Sequence, residues 1–250
     1  MRGATEDLLG GGGPRSEDRP GLPSGDDKAR FVRAMFDTIA PRYEAVNHLM
    51  TFGLDGMWRR GAIAALGLPG GSRVLDIASG TGDFARMLEA RGDRVVAVDL
   101  SWGMLTAPGQ HEATRVQADV SRLPLHGASV DGATCGFALR NFVDLEQAFA
   151  ELARVVRRGG RIALLEVARP ANPVVEIVNR LWFEHAVPVI GGLLSEGHAY
   201  RYLPRSVEYL PGPERIRSML RAAGFAAVGR RTLWPGVVQV FTATRSGAPS

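Results

Sequence analysis

Three aspartates close short apolar runs in this chain: Asp76 in RVLDI, Asp99 in RVVAVD and Asp119 in VQAD. After the first comes ASGTGD, where Gly80 and Gly82 turn the chain from a strand into a helix. Glycines at such a turn let the backbone approach a ligand closely. A carboxylate closing the next strand, as Asp99 does, can accept both hydroxyls of an adenosine ribose. Asp76 is placed to meet a cationic group, directly or through water, and Asp119 to hold an adenine amino group. Two nucleotide ligands fit this plan. A dinucleotide would lay its pyrophosphate on the helix N-terminus, where Asp83, directly after Gly82, repels it. S-adenosylmethionine has no phosphate; it has a ribose, an ammonium, a carboxylate and a sulfonium cation, and the charges favour it. The expected cofactor-binding set is Asp76, Ala78, Gly80, Thr81, Gly82, Asp99, Leu100, Asp119, Val120 and Gly136.

A second candidate lies in CGFALRNFVD, residues 135–144. An apolar run ends in Arg140 and Asn141, a full charge beside an amide. Ligands of doubly wound sheets gather at the carboxyl ends of strands, so the pair is read as a substrate site. The alternative, capping of the following helix, is better filled by Asp144. His48, His185 and His198 are further candidate bases. His185 lies on an apolar stretch and reads as a packed histidine, whereas His198 sits with Tyr200, Arg201 and Tyr202 in a segment suited to a pocket wall. Cys135 reads as core, with nothing nearby to activate a thiolate.

Positioning these groups requires alternating strands and helices. Strands are expected at Ser72–Ile77, Arg94–Asp99, Arg115–Ala118, Val130–Gly136 and Arg161–Val167. Helices are expected from Trp58 to Leu66, at Asp83–Ala90, at Leu145–Val156 and at Pro213–Ala223. Such βα alternation specifies an α/β fold with a doubly wound, mostly parallel sheet. Ala226–Leu233 and Val237–Arg245, joined by Pro235-Gly236, form an antiparallel hairpin on the sheet edge. Before the core, Phe31, Met35, Phe36 and Ile39 share a helical face, and Pro41 is expected to end that helix. Residues 1–27, rich in Gly, Pro, Asp and Ser, read as a disordered tail. One domain then spans 28–250: a helical part at 28–68, the cofactor core at 72–168, and a helical insertion covering the substrate at 169–210.

Bulk properties exclude several classes. The 250 residues carry a net charge of +4 and are 45% hydrophobic. The pI of about 9.8 comes from scattered arginines, since Lys28 is the only lysine. Without a basic run interleaved with aromatics, nucleic-acid binding is not indicated. Cys135 is the only cysteine, which excludes an internal disulfide and a cysteine metal cluster, so no metal is expected. No run of eighteen apolar residues and no apolar signal core are present, so a cytoplasmic protein is expected.

Taken with these motifs, the chain resembles class I S-adenosylmethionine-dependent methyltransferases, and among them the ubiquinone/menaquinone biosynthesis C-methyltransferases. FDTIAPRYEAVNHLMTFGLDGMW resembles the N-terminal signature of that family, LDIASGTGD its glycine motif and FALRNFVD its Leu-Arg-Asn segment. RVVRRGGRIALLE, YRYLPRSVEYLPGPERIRSMLRAAGF and PGVVQVFTATR resemble later segments, so the likeness spans about residues 31–245. The family commonly has Asp, Met, Ser and His where this chain has Glu44, Val46, Thr51 and Asp55, and Lys-Pro at Arg157-Arg158. The resemblance implies a seven-stranded sheet and carbon methylation of a reduced prenylated quinone precursor. Demethylmenaquinol leads; a benzoquinol of the ubiquinone pathway and another phenolic acceptor are the alternatives. A catalytically silent subunit is disfavoured by the intact cofactor loop. The resemblance implies catalytic roles for Arg140, stabilising a phenolate, for Asn141, orienting a ring oxygen, and for Tyr43, closing over the ring. Expected partners are the prenylated quinol, a membrane touched peripherally at its inner face through residues 172–194, and a second copy of the chain in a homodimer.

Overall fold

A computed structural model describes residues 24–107, 112–181 and 206–247. Two helices open it, α1 (Gly25–Met50) and α2 (Asp55–Leu66), followed by β1 (Arg73–Ile77), α3 (Asp83–Glu89), β2 (Arg94–Asp99), α4 (Trp102–Thr106) and β3 (Thr114–Gln117). Then come β4 (Val130–Gly136), a 3-10 turn at Leu139–Asn141, α5 (Leu145–Val155), β5 (Val156–Val167) and α6 (Pro173–Leu181). A second 3-10 turn (Val207–Tyr209), α7 (Pro213–Ala222), β6 (Phe225–Leu233) and β7 (Val238–Arg245) complete the order.

The seven strands form one sheet in the order β3-β2-β1-β4-β5-β7-β6. β1 to β5 pair in parallel, and β7 runs antiparallel between β5 and β6. The chain therefore reverses its direction of travel between β1 and β4, and a crevice opens beyond their carboxyl ends. Both faces of the sheet are covered, which is why its central strands are almost continuously apolar. On one face Ile77, Phe149, Leu152, Ile162, Leu220 and Phe241 form a core with α5 and α7. On the other, Trp58, Leu66, Val74, Leu88, Leu165 and Val240 join α2 and α3 to the sheet.

Four features depart from the sequence reading. Pro41 does not end α1; it lies inside the helix, which runs on to Met50. Proline costs a helix hydrogen bond, but tertiary packing outweighs that local loss. Ile39, Ala40 and Val46 on either side of it are buried, and Asp37 is tied to α4 by Ser101 Oγ at 2.5 Å and Gly103 N at 2.9 Å. Helix α1 also begins at Gly25, inside the stretch read as tail. Helix α4 was not evident, because its five residues include Gly103. That glycine is needed: a Cβ there would lie 3.0–3.2 Å from Asp37 atoms. Finally, β5 begins at Val156, directly after α5, with Val156 paired to Val130 and Gly159 turning at φ 75.

Candidate active site

The crevice between β1 and β4 is a cavity of about 240 Å³, roofed by α1. Its floor is the glycine loop. Ala78, Gly80 and Gly82 all adopt positive φ (48, 58 and 89), which swings the loop backbone into the crevice. Gly80 N donates to Asp99 Oδ2 and Ser101 N to Asp99 Oδ1, both at 2.9 Å. These two bonds fix the Asp99 carboxylate at the cavity wall while each oxygen keeps acceptor capacity for a ligand. Burial raises the Asp99 pKa to about 6, against the lowering effect of those backbone donors.

Of the expected cofactor set, Ala78, Gly80, Asp99, Leu100, Asp119, Val120 and Gly136 line this cavity together. Asp119 is exposed, and its carboxylate also accepts from Ser121 N at 2.8 Å. Gly82 is not in the wall; it is the left-handed N-cap of α3. Thr81 lines an adjoining recess of about 30 Å³. Asp76 lies behind the loop rather than in it, 1% exposed, with Thr134 Oγ1 donating to its Oδ1 at 2.8 Å. Its Oδ2 has no hydrogen-bond partner among the described residues, and burial raises its pKa to about 7. A buried carboxylate oxygen without a partner is costly in isolation.

Tyr43 and Asn141 both line the cavity, one from α1 and one from the turn after β4. Burial pushes the Tyr43 phenol above its ordinary value, so it is a neutral donor. Arg140 is not brought to the cavity. Its guanidinium turns away, pairs with Glu166 Oε1, and donates through Nε to Ser206 Oγ at 3.1 Å. Arg140 N also donates to Glu166 Oε2, at 3.3 Å. The 3-10 geometry of Leu139–Asn141 decides this: residues next to each other in the turn face different ways. Lys28 anchors the same turn to α1, donating to Arg140 O at 2.9 Å and Phe142 O at 2.8 Å. Asp144 caps α5 through Gln147 N, at 2.9 Å, and also lines the cavity.

Of the histidines, His48 is not a cavity residue; its Nδ1 lies 3.2 Å from Asp55 Oδ1. His185 and His198, with Tyr200, Arg201 and Tyr202, lie outside the described residues. Cys135 is fully buried in the core, and burial pushes its thiol pKa well up.

The sequence reading missed a charged cluster. Arg59, 5% exposed, reaches Asp55 Oδ2 at 2.7 Å and Asp83 Oδ2 at 2.8 Å. Arg86 bridges Asp83 to Glu44. Thr51 Oγ1 donates to Asp55 Oδ1 at 3.1 Å. Burial would raise Asp55, but Arg59, Thr51 and His48 together hold it below its ordinary value. Arg59 and Asp83 line the small recess with Tyr43, Ser79, Gly80 and Thr81. Three departures from the family pattern, Glu44, Thr51 and Asp55, are thus partners in one cluster rather than isolated changes. Asp55 faces Arg59. The available signal was Asp83, noted only for its repulsion of phosphate.

Strand order, a glycine loop at the switch point and a strand-end carboxylate beside it define a class I S-adenosylmethionine-dependent methyltransferase. Solved structures agree on the fold. The cyclase SpnF superposes with a TM-score of 0.63 at 15% identity, covering 90% of this chain and 99% of that one. A phosphoethanolamine N-methyltransferase of Haemonchus contortus, solved with S-adenosylhomocysteine, gives a TM-score of 0.58 at 16% identity, covering 76% of this chain and 52% of that one. The profile of the ubiE/COQ5 methyltransferase family matches residues 24–245, and the chain belongs to that family. It is 41% identical over 223 residues to the "Ubiquinone/menaquinone biosynthesis C-methyltransferase UbiE" of Syntrophotalea carbinolica, covering 86% of this chain and 94% of the relative. It is 42% identical over 219 residues to the "Demethylmenaquinone methyltransferase" of Deinococcus radiodurans, covering 84% and 91%.

Proposed function

We propose that this enzyme methylates a ring carbon of a reduced, prenylated quinone precursor, with demethylmenaquinol as the leading substrate. The observation that carries this reading is the composition of the cavity lining. It includes the apolar side chains of Val32, Phe36, Phe137, Phe142 and Val143, and among them the neutral polar side chains of Asn141 and Tyr43. That combination suits a flat hydroquinone with a hydrocarbon tail. The names borne by the two relatives point to the same substrate class.

S-adenosylmethionine supplies an electrophilic methyl group on a sulfonium. The chain's own residues then have distinct tasks. Asp99 holds the ribose hydroxyls; Leu100, Asp119 and Val120 border the adenine; Asp76 supports the cationic end from behind the loop. Gly80, Ala78 and Gly136, which line the cavity, keep side-chain bulk out of the ligand's path. Asn141 hydrogen-bonds a ring oxygen and fixes which carbon faces the methyl donor, which is catalysis by positioning. Tyr43 closes over the ring as a neutral donor. Arg140 acts through the turn it anchors to Glu166, so in this reading it is a positioning residue.

Residues 169–210 cover the substrate in this reading, and 182–205 of them lie outside the described residues. Helix α6 exposes Val174, Ile177, Val178 and Leu181, spaced along one helical face. Such a stripe fits a membrane surface from which a prenylated substrate would be drawn. No helix among the described residues is long and apolar enough to cross a membrane.

The test is transfer of labelled methyl from S-adenosylmethionine to chemically reduced demethylmenaquinol, with the oxidised quinone and a benzoquinol precursor in parallel. Label is expected in the reduced naphthoquinol lipid. Equal transfer to the oxidised quinone would sink the mechanism, because only the electron-rich ring is a nucleophile; label in the benzoquinol alone would move the enzyme to the ubiquinone pathway.

A further inference from the structure

Lys28 is the only lysine of the chain, and it is 5% exposed. Its place is locally unfavourable. It stands in the first turn of α1, where the helix dipole favours anions such as Asp26 and Asp27 and disfavours a cation. A buried ammonium must also replace its lost hydration, and an apolar side chain would join two elements without that penalty. A residue that breaks local rules in this way points to a task at a nearby site.

The partners of Lys28 bracket one residue. Nζ donates to Arg140 O at 2.9 Å and to Phe142 O at 2.8 Å, the carbonyls on either side of Asn141. The peptide unit entering Asn141 is thereby held at both ends, its carbonyl by Lys28 and its N–H by Ala138 O at 2.8 Å. The unit leaving Asn141 is held by Phe142 N, which donates to Leu139 O at 3.3 Å. A three-residue 3-10 turn has poor hydrogen-bond geometry of its own, so a clamp from outside steadies its backbone. Nζ also lies 3.9 Å from the centre of the Tyr209 ring, a cation–π contact. One ammonium thus joins α1, the Asn141 turn and the turn at Val207–Tyr209.

Among the described residues, α1 lends Val32, Phe36 and Tyr43 to the cavity lining, but not Lys28. Lys28 therefore reaches the site through Asn141, which does line it. We infer that Lys28 is a positioning residue for methyl transfer: it fixes the backbone on both sides of Asn141 and so aims the Asn141 amide at the acceptor ring. This rests on the role proposed above for Asn141 in quinol methylation.

A double-mutant cycle on kcat tests it, with methyl transfer to reduced demethylmenaquinol followed in the full chain. Lys28→Met, similar in length but without charge or donors, is expected to lower kcat by about 10- to 100-fold, as misplacement of an orienting group does. Calorimetric affinity for S-adenosylhomocysteine should stay within about twofold. In the Asn141→Ala background, Lys28→Met should lower kcat by less than about twofold more, because the amide it aims is already gone. Lys28→Arg keeps the charge and several donors and should retain more turnover than Lys28→Met. Should Lys28→Met yield no folded protein, Lys28→Gln, which keeps an amide donor, carries the same cycle. Losses that multiply in the double variant, an unchanged kcat, a fall in cofactor affinity equal to that in turnover, or a Lys28→Arg variant no better than Lys28→Met each overturn the assignment. Absence of methyl transfer by the unaltered chain would instead overturn the quinol reading beneath it.

Discussion

Among the described residues two arginines are buried at similar depth, Arg59 and Arg140, and they do different things. Arg140 stands beside Asn141 at the end of a central strand, where its charge invites a catalytic reading. In the fold it turns into Glu166, fully buried, and Ser206. Arg59 sits mid-helix in α2, with no motif to single it out. In the fold it reaches the glycine loop and lines the recess. A buried charge needs a partner, and the partner's location decides where the charge acts. Glu166 lies within β5, beneath the turn; Asp83 lies at the start of α3, where the cofactor loop ends.

The sharpest way to break this comparison is to remove each arginine's partner. Glu166→Ala leaves the Arg140 charge buried with Ser206 as its remaining side-chain partner among the described residues, and should cost about 3–5 kcal/mol in urea unfolding. Asp55→Ala should cost clearly less, because Asp83 still holds Arg59 beside an open recess. Equal losses would mean that the two arginines are equivalent structural charges.

Next in size is turnover. Asn141→Ala should lower kcat by about 10²-fold with cofactor affinity nearly unchanged, the effect of losing one oriented donor. Arg140→Met should fall comparably by disturbing the turn, since it strands Glu166. The paired change Arg140→Met with Glu166→Gln removes both charges together and should regain much of that turnover. If the pair is no better than Arg140→Met alone, the guanidinium itself acts on the ring.

The smallest expected effect concerns pH and Asp76. Burial raises its pKa from 3.8 to about 7. A carboxyl whose folded pKa is raised favours the fold most while protonated in both states, and that advantage is lost as pH rises toward the folded value. Thermal unfolding of the ligand-free protein should therefore show Tm falling between about pH 4 and pH 7 relative to Asp76→Asn. Parallel curves for the two proteins would show that Asp76 carries no burial penalty.

Much of the scaffold was legible because its signals are local. β2 and β4 begin and end where apolar runs and turn residues place them, and Asp144 caps α5. The glycine loop announced itself through its spacing, and most of the expected cofactor residues meet at one cavity. Pro41 was misread and α4 missed because long-range packing, through Asp37 and Gly103, overrode weak local propensity.

The sequence by itself determined the alternation of strands and helices, the cofactor loop and the family, since each is written in contiguous residues. The tertiary structure alone decided which way Arg140 and Asn141 face and that Arg59 meets Asp83. Those outcomes depend on partners distant along the chain, Glu166 and Ser206 for one arginine and the start of α3 for the other. A pattern read along the sequence carries residue types and spacing, whereas the energy of a buried charge is set by what lies across the fold from it.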